Sequence, residues 1–222
     1  MKPGPTEIHQ CPSCSNSLAK RTLLSFNSFG AKLYSDGKVI SGMCPVYPII
    51  TICPNCKTIF WIEETTLVGE YWHHTENEVW QDADYAEFLT IEESFIALER
   101  SVNATNSDEY FIRNHILLSF NDRIREGIYH AVVNKVRETA KLFNSDYEKE
   151  LYENIIKSMI NLLKTETDKN TLMLAELNRN LGNFELCLEL LASINNTELD
   201  WKKKAMQYQC DNGNRQVFLY RR

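Results

Sequence analysis

No run of residues in this 222-residue chain approaches the roughly 18 consecutive apolar residues of a membrane-spanning helix, so no helical span is expected. The first ten residues, Met1 to Gln10, hold one Lys, two prolines and no apolar core, so a secretory leader is not expected there. The signatures of common enzymes are missing too: there is no Gly-rich phosphate loop, no Gly-x-Ser-x-Gly and no His-Glu-x-x-His. Carboxylates are plentiful, but nothing in the sequence pairs them in a pocket. The expectation is therefore a cytoplasmic, non-catalytic protein. Its 43% apolar and 24% charged residues match an ordinary globular chain. Thiols stay reduced in the cytosol, so seven cysteines there point to metal ligation and not to disulfides.

Basic residues are absent from 63–80, which carries Glu63, Glu64, Glu70, Glu76 and Glu78. The net charge of −6 is uneven. Residues 1–62 hold six basic groups against Glu7 and Asp36, whereas 81–222 holds 18 basic and 23 acidic groups. An acidic C-terminal body argues against broad contact with a phosphate backbone, which needs clustered Lys and Arg.

Cys11-Pro12-Ser13-Cys14 and Cys53-Pro54-Asn55-Cys56 are two copies of one turn. Two residues between cysteines let the chain fold back so that both sulfurs face one ion, with turn N–H groups free to hydrogen-bond them. Two such turns supply four thiolates, which complete a tetrahedron and leave no open position. The 38 intervening residues (15–52) suffice for a small antiparallel sheet joining the turns, as in a zinc ribbon. One structural zinc ion is expected, with iron in a rubredoxin-like, electron-transferring site as the competing metal. The residue after such a turn is often Gly; here it is Ser15 and Lys57, which must take another geometry or accept strain.

Up to about residue 63 the pattern is of short strands and turns. Ser35-Asp36-Gly37-Lys38 between Leu33-Tyr34 and Val39-Ile40 predicts a hairpin with a two-residue Asp-Gly turn. Thr58 to Ile62 is β-branched and aromatic and predicts a strand leaving the second cysteine pair. From about residue 90 the period becomes helical. Thr90 with Glu93 predicts a capping box for a helix over 91–102, and Ser145 with Glu148 a second box. Between them a long helix is expected, broken near Asn121-Asp122 and running to about Phe143. Leu174, Leu177 and Leu181 line a helix ended by Gly182; Phe184, Cys187, Leu188, Leu191 and Ile194 line the next; Trp201, Ala205 and Tyr208 line a last one opened by Thr197.

Other residues carry weaker signals. Tyr71, Trp72 and Trp80 form either a patch for docking a partner or the packing of a linker. His73, His74 and a nearby Glu are a candidate second metal set, opposed by the fact that adjacent residues on a strand face opposite ways. His9 near Cys11 reads as a surface residue, and Cys187 and Cys210 as buried thiols. Cys44 is an alternative ligand or a reactive thiol. The terminal Tyr220-Arg221-Arg222 reads as a solvated tail, with contact to an acidic partner as the alternative.

The stretch Cys11-Pro-Ser-Cys14, then Thr22 to Gly37, then Cys53-Pro-Asn-Cys56 and Phe60-Trp61, resembles a bacterial family in which a zinc ribbon precedes tetratricopeptide-repeat-like helices. Leu174 to Leu191 is similar to the core of one such repeat, with Leu174, Gly182, Phe184 and Leu191 at signature positions, Ala175 at the small site and Cys187 in place of Ala. The resemblance implies an architecture and no activity. The expected fold class is α+β: a small antiparallel zinc-ribbon domain (1–63), a connector (64–89) and an all-α helical-hairpin, tetratricopeptide-like domain (90–222). The expected function is a zinc-binding adaptor for another protein through the helices. The alternatives are nucleic-acid binding through the ribbon, using its positive balance and strand aromatics such as Tyr34 and Phe60, and iron-based electron transfer.

Overall fold

The computed structural model describes residues 1–72, 79–80, 82–100, 102, 105–134 and 141–221, without the side chains of 127–134. It is a mixed α+β structure of small, mainly antiparallel sheets and six helices among those residues. The chain divides into two compact units: Met1–Ala31 with Ile40–Val102, and Lys32–Val39 with Asn103–Arg222. No helix among the described residues is long and apolar enough to cross a membrane.

In the first unit, β1 (Lys2–Pro3) pairs antiparallel with β4 (Leu23–Ser25). A four-stranded sheet is built from β2 (Thr6–Gln10), β3 (Ser17–Lys20), β9 (Leu67–Tyr71) and β10 (Asp84–Tyr85), in the order β10-β3-β2-β9. Only β10, which lies parallel to β3, departs from antiparallel pairing. A separate antiparallel hairpin joins β7 (Ile50–Ile52) to β8 (Ile59–Trp61), with Thr51 opposite Phe60. Residues 64–89, read from the sequence as a connector, thus supply both edge strands of the main sheet. The burial of these strands does not alternate, and β10 has two residues only, so no strand signal was available. The Trp80 ring lies against Gly69, where an added Cβ would come within 2.1 Å of it; only Gly admits that approach. The predicted box at Thr90 is present, with Thr90 Oγ1 accepting from Glu93 N and Glu93 Oε2 accepting from Thr90 N. Helix α1 (Ile91–Glu99) follows and ends earlier than the expected residue 102.

The second unit stacks α2 (Asn106–Asn134), α3 (Asp146–Leu162), α4 (Asp168–Leu181), α5 (Phe184–Ser193) and α6 (Asp200–Asp211). Thr105 and Asp108 cap the start of α2 reciprocally. The helix is continuous through Asn121-Asp122, where the sequence predicted a break. Both side chains are engaged in tertiary bonds, so neither competes for the local backbone. Its expected extension toward Phe143 crosses residues outside those described, and 141–145 are not helical. At α3 half of the predicted box forms: Ser145 Oγ accepts from Glu148 N, while the Glu148 carboxylate takes Asn144 N and a bidentate pair with Arg123. Gly182 ends α4 in the left-handed region (φ 89°), as expected, and the two-residue turn leads into α5. Apolar packing centres on Ala175, Cys187, Leu191, Ile194 and Met206, with Tyr220 joining it. Tyr220 is therefore part of the core and not of a solvated tail.

The hairpin of β5 (Lys32–Leu33) and β6 (Val39–Ile40) carries a three-residue loop, not the two-residue turn predicted. Gly37 N bonds Tyr34 O, Tyr34 N bonds Lys38 O, and Gly37 alone has positive φ (84°). Asp36 stays out of the left-handed region because its carboxylate is fully committed. Oδ1 accepts from Lys38 N (3.2 Å), and Oδ2 accepts from Asn121 Nδ2 (2.9 Å) and Arg125 Nη1 (2.6 Å). Arg125 also bonds Asp122 through Nε (2.8 Å), and Lys38 Nζ meets Asp122 Oδ2 at 2.5 Å. Beside it, Ser35 Oγ donates to Glu176 Oε1 (2.7 Å), and Glu176 pairs with Arg179 with both side chains fully buried. Arg179 in turn donates to the carbonyls of Asn214 and Gln216, which anchors the C-terminal segment. The hairpin and this segment meet through Ser35 N to Phe218 O and Tyr220 N to Leu33 O, each 2.9 Å.

Buried ion pairs are costly to break, because the surviving charge is left unsolvated. Asp36→Ala should therefore lower unfolding stability by roughly 3–5 kcal/mol, read from the urea midpoint by circular dichroism. Asp36→Ala combined with Arg125→Leu should lose less than Asp36→Ala alone. A larger loss in the double variant would contradict this account.

Candidate metal centre

Each Cys-Pro-x-Cys turn is the tip of its own hairpin: Cys11 to Cys14 joins β2 to β3, and Cys53 to Cys56 joins β7 to β8. The two tips have the same wiring. Ser15 N bonds Cys11 O (2.9 Å) and Cys11 N bonds Asn16 O (2.9 Å); Lys57 N bonds Cys53 O (2.9 Å) and Cys53 N bonds Thr58 O (2.8 Å). Closing both tips this way forces the following residue into the left-handed region, with φ 57° at Ser15 and 59° at Lys57. The alternative of a different turn geometry is not taken. These are the only non-Gly residues with positive φ among those described, and such a conformation costs about 1–2 kcal/mol for a residue with a Cβ.

The four sulfurs lie within 4.8 Å of one another and form the only metal-competent group of three or more His, Cys, Asp or Glu among the described residues. Cys11 Sγ is 3.5 Å from Cys56 Sγ, and Cys14 Sγ is 3.7 Å from Cys53 Sγ. Thiolates about 2.3 Å from a tetrahedral ion stand about 3.8 Å apart, so these spacings fit a metal ion at the centre. Cys11 and Cys53 are buried and belong to a core with Leu18, Phe60 and Ile62, whereas Cys56 is exposed. Burial pushes the Cys11 thiol up to about 12, against the backbone N–H groups of Ser13 and Cys14 that favour its thiolate. Cys53 is likewise raised by burial, opposed by the N–H groups of Cys56 and Asn55. Thr58, through its hydroxyl and its backbone, draws Cys56 down to about 6. Asn55 Nδ2 reaches Cys14 Sγ at 3.6 Å, and Thr58 Oγ1 lies 3.2 Å from Cys56 Sγ and 3.0 Å from Ser13 Oγ, tying one tip to the other. Neither Asn55 nor Thr58 had been singled out in the sequence, though each lies within two residues of a ligand.

The remaining candidates fall elsewhere. Cys44 sits in a turn, its N–H on Ser41 O (3.2 Å), and is not in the cluster. His9 is buried and not on the surface as expected; its Nδ1 is 3.2 Å from Thr65 Oγ1 and its Nε2 3.4 Å from Glu7. His73, His74 and Glu76 lie outside the described residues. Tyr71 shares a 3.3 Å hydrogen bond with the Tyr85 hydroxyl, Trp80 covers Gly69, and Trp72 is about one-third exposed. Phe60 is in the core, and Tyr34 is half-buried with the Arg125 guanidinium over its ring (5.1 Å). Cys187 and Cys210 are buried with sulfurs 3.4 Å apart, and burial raises both thiols, which leaves them protonated and inert at neutral pH. Compared with models of protein families, with curated proteins and with solved structures, the chain gives no match.

Two predictions follow from this geometry. Lys57→Gly should relieve the left-handed backbone and stabilise the metal-bound chain by up to about 1 kcal/mol after the entropic cost of Gly, seen as a raised midpoint in thermal melting. A lowered midpoint would show that the Lys57 side chain matters more than its backbone. Secondly, Cys11 and Cys53 hold their protons at pH 7 in the metal-free chain, so ion uptake must expel at least two. Apparent affinity in a chelator competition should then fall at least about a hundredfold per pH unit between pH 8 and 6. A dependence shallower than tenfold would contradict the assignment of buried, protonated ligands.

Proposed function

We propose that the chain is a non-catalytic, cytoplasmic zinc-binding adaptor, in which a zinc ribbon formed by the first unit accompanies tetratricopeptide-like helical hairpins in the second. The observation that carries this reading is the closed set of four cysteine sulfurs. Four thiolates fill a tetrahedral ion and leave no position for a water or a substrate, so the metal's role is to stabilise a small unit. The repeat-like reading draws support from Leu174, Ala175, Cys187 and Leu191, which are buried, and from the left-handed Gly182 between α4 and α5.

The faces of α2 and α4 that carry Asn121, Arg125 and Glu176 are taken up by the chain's own hairpin. A protein partner is therefore assigned to the exposed apolar side chains of the first unit. Phe26 and Phe29 are 63% and 86% exposed, and Leu24, Met43 and Val46 are exposed as well. The two strands of chain that carry them run together, since Asn27 N bonds Met43 O and Ser41 Oγ bonds Asn27 O. Clustered exposed apolar groups of this kind mark contact surfaces.

Native mass spectrometry of the chain purified from its own cells tests both parts. One zinc and one stoichiometric protein partner per wild-type chain are expected, with the partner lost and the zinc kept in Phe26→Ser/Phe29→Ser. A zinc-loaded wild-type chain carrying no partner would remove the adaptor reading. A partner unaffected by the double substitution would move the contact to another surface.

A further inference from the structure

Among the seven cysteines, all of them described, Cys56 alone is exposed. The first cysteine of each turn is buried in the core, Cys11 at 2% and Cys53 at 0% exposure. The second cysteines, Cys14 and Cys56, hold equivalent places but are not equally covered, since Cys14 is half-buried. One difference between the turns accounts for this: the first has Ser13 where the second has Asn55. Asn55 is long enough to reach across to Cys14 Sγ (3.6 Å), whereas Ser13 stops at Thr58 Oγ1 (3.0 Å). Thr58 Oγ1 stands beside Cys56 Sγ at 3.2 Å, and Cys56 stays exposed.

Cys56 Sγ also lies 3.5 Å from a second sulfur, that of buried Cys11 on the other hairpin. A disulfide bond is about 2 Å long, so this pair needs to close by about 1.5 Å, within reach of side-chain rotation. A metal-held cysteine is a thiolate, and an exposed thiolate beside a second cysteine is the arrangement that oxidants convert to a disulfide. Joining Cys56 to Cys11 withdraws two of the four ligands. Cys14 and Cys53 alone do not make the four-coordinate shell of a structural zinc site, so the ion is lost. The new bond links the same two tips that the metal joined.

We infer that the four-cysteine site is a reversible peroxide sensor, with Cys56 as the point of attack and Cys11 as the resolving residue. This rests on the zinc reading and goes beyond it, since the metal then reports oxidation as well as holding the fold. The Cys56 sulfur attacks one peroxide oxygen and the O–O bond breaks. The departing oxygen takes a proton and leaves as water, and Cys56 becomes a sulfenic acid. The Cys11 sulfur then attacks the Cys56 sulfur, the S–O bond breaks, and a second water leaves. The two sulfurs together lose two electrons and the peroxide gains two. A thiol reductant reverses the bond by exchange and returns both ligands.

The test titrates the reduced, full-length chain with zinc and then adds hydrogen peroxide in the presence of a chromogenic chelator. Crosslinks are mapped by mass spectrometry after alkylation and proteolysis. One zinc should be lost per disulfide formed, the first crosslink should join Cys11 to Cys56, and dithiothreitol should restore zinc binding. Cys44→Ser, which removes a half-buried thiol outside the cluster, should release zinc at the wild-type rate. Asn55→Ala, which uncovers the Cys14 sulfur, should bring Cys14 among the first residues oxidised. Zinc kept after Cys56 is oxidised, a first crosslink within one turn, or zinc retained by peroxide-treated Cys44→Ser would each overturn the inference and leave the zinc reading standing. A reduced chain that takes up no zinc would overturn both.

Discussion

The first unit depends on four sulfur atoms meeting at one point. Two hairpins, β2–β3 and β7–β8, bring their tips together there, and two of the four cysteines also belong to the core beside Leu18, Phe60 and Ile62. The arrangement carries internal costs: two non-Gly residues in the left-handed region, and two buried thiols that must give up protons to bind an ion. A structural zinc site contributes about 10–16 kcal/mol of apparent binding free energy at pH 7, far more than the about 1–2 kcal/mol of strain at each of the two tips. On the zinc reading, Ser15 and Lys57 are tolerated where Gly would be easier because the metal dominates the local balance.

The second unit is organised around charge instead. Buried Asp36 is balanced by Arg125 and buried Glu176 by Arg179, with half-buried Asp122 and Lys38 alongside, so the charges close in pairs. That balance lets an eight-residue excursion, Lys32–Val39, be part of the helical unit although its flanks belong to the other. Buried ion pairs add little net stability against apolar packing, but they specify position, because displacing the hairpin would leave the charges of Asp36 and Arg125 unpaired. The consequence for function is that the polar faces of α2 and α4 are filled from within the chain. Any partner must use a surface that remains exposed, and Phe26 and Phe29 are among the exposed large hydrophobic side chains of the first unit.

Local signals were legible wherever one interaction decides a local outcome. The two Cys-Pro-x-Cys turns, the Thr90 cap, the Gly182 stop and the apolar stripes of α4 and α5 all read directly, because spacing alone determines which atoms can meet. Tertiary substitution for a local preference was not legible. Asn121-Asp122 reads as a break until Asp36, 85 residues away in sequence, supplies a partner for the Asn121 amide. Asp36-Gly37 reads as a tight turn, and nothing in the sequence says that the Asp is buried. The edge strands β9 and β10 lacked an alternating pattern.

The most direct measurement of the central claim is X-ray absorption on the chain as purified, at the zinc and iron edges. The account predicts one zinc per chain with four sulfur scatterers at about 2.3 Å and no lighter atom in the first shell. An iron edge would contradict the zinc assignment. A shell containing nitrogen or oxygen would contradict the closed four-cysteine site on which the non-catalytic reading rests.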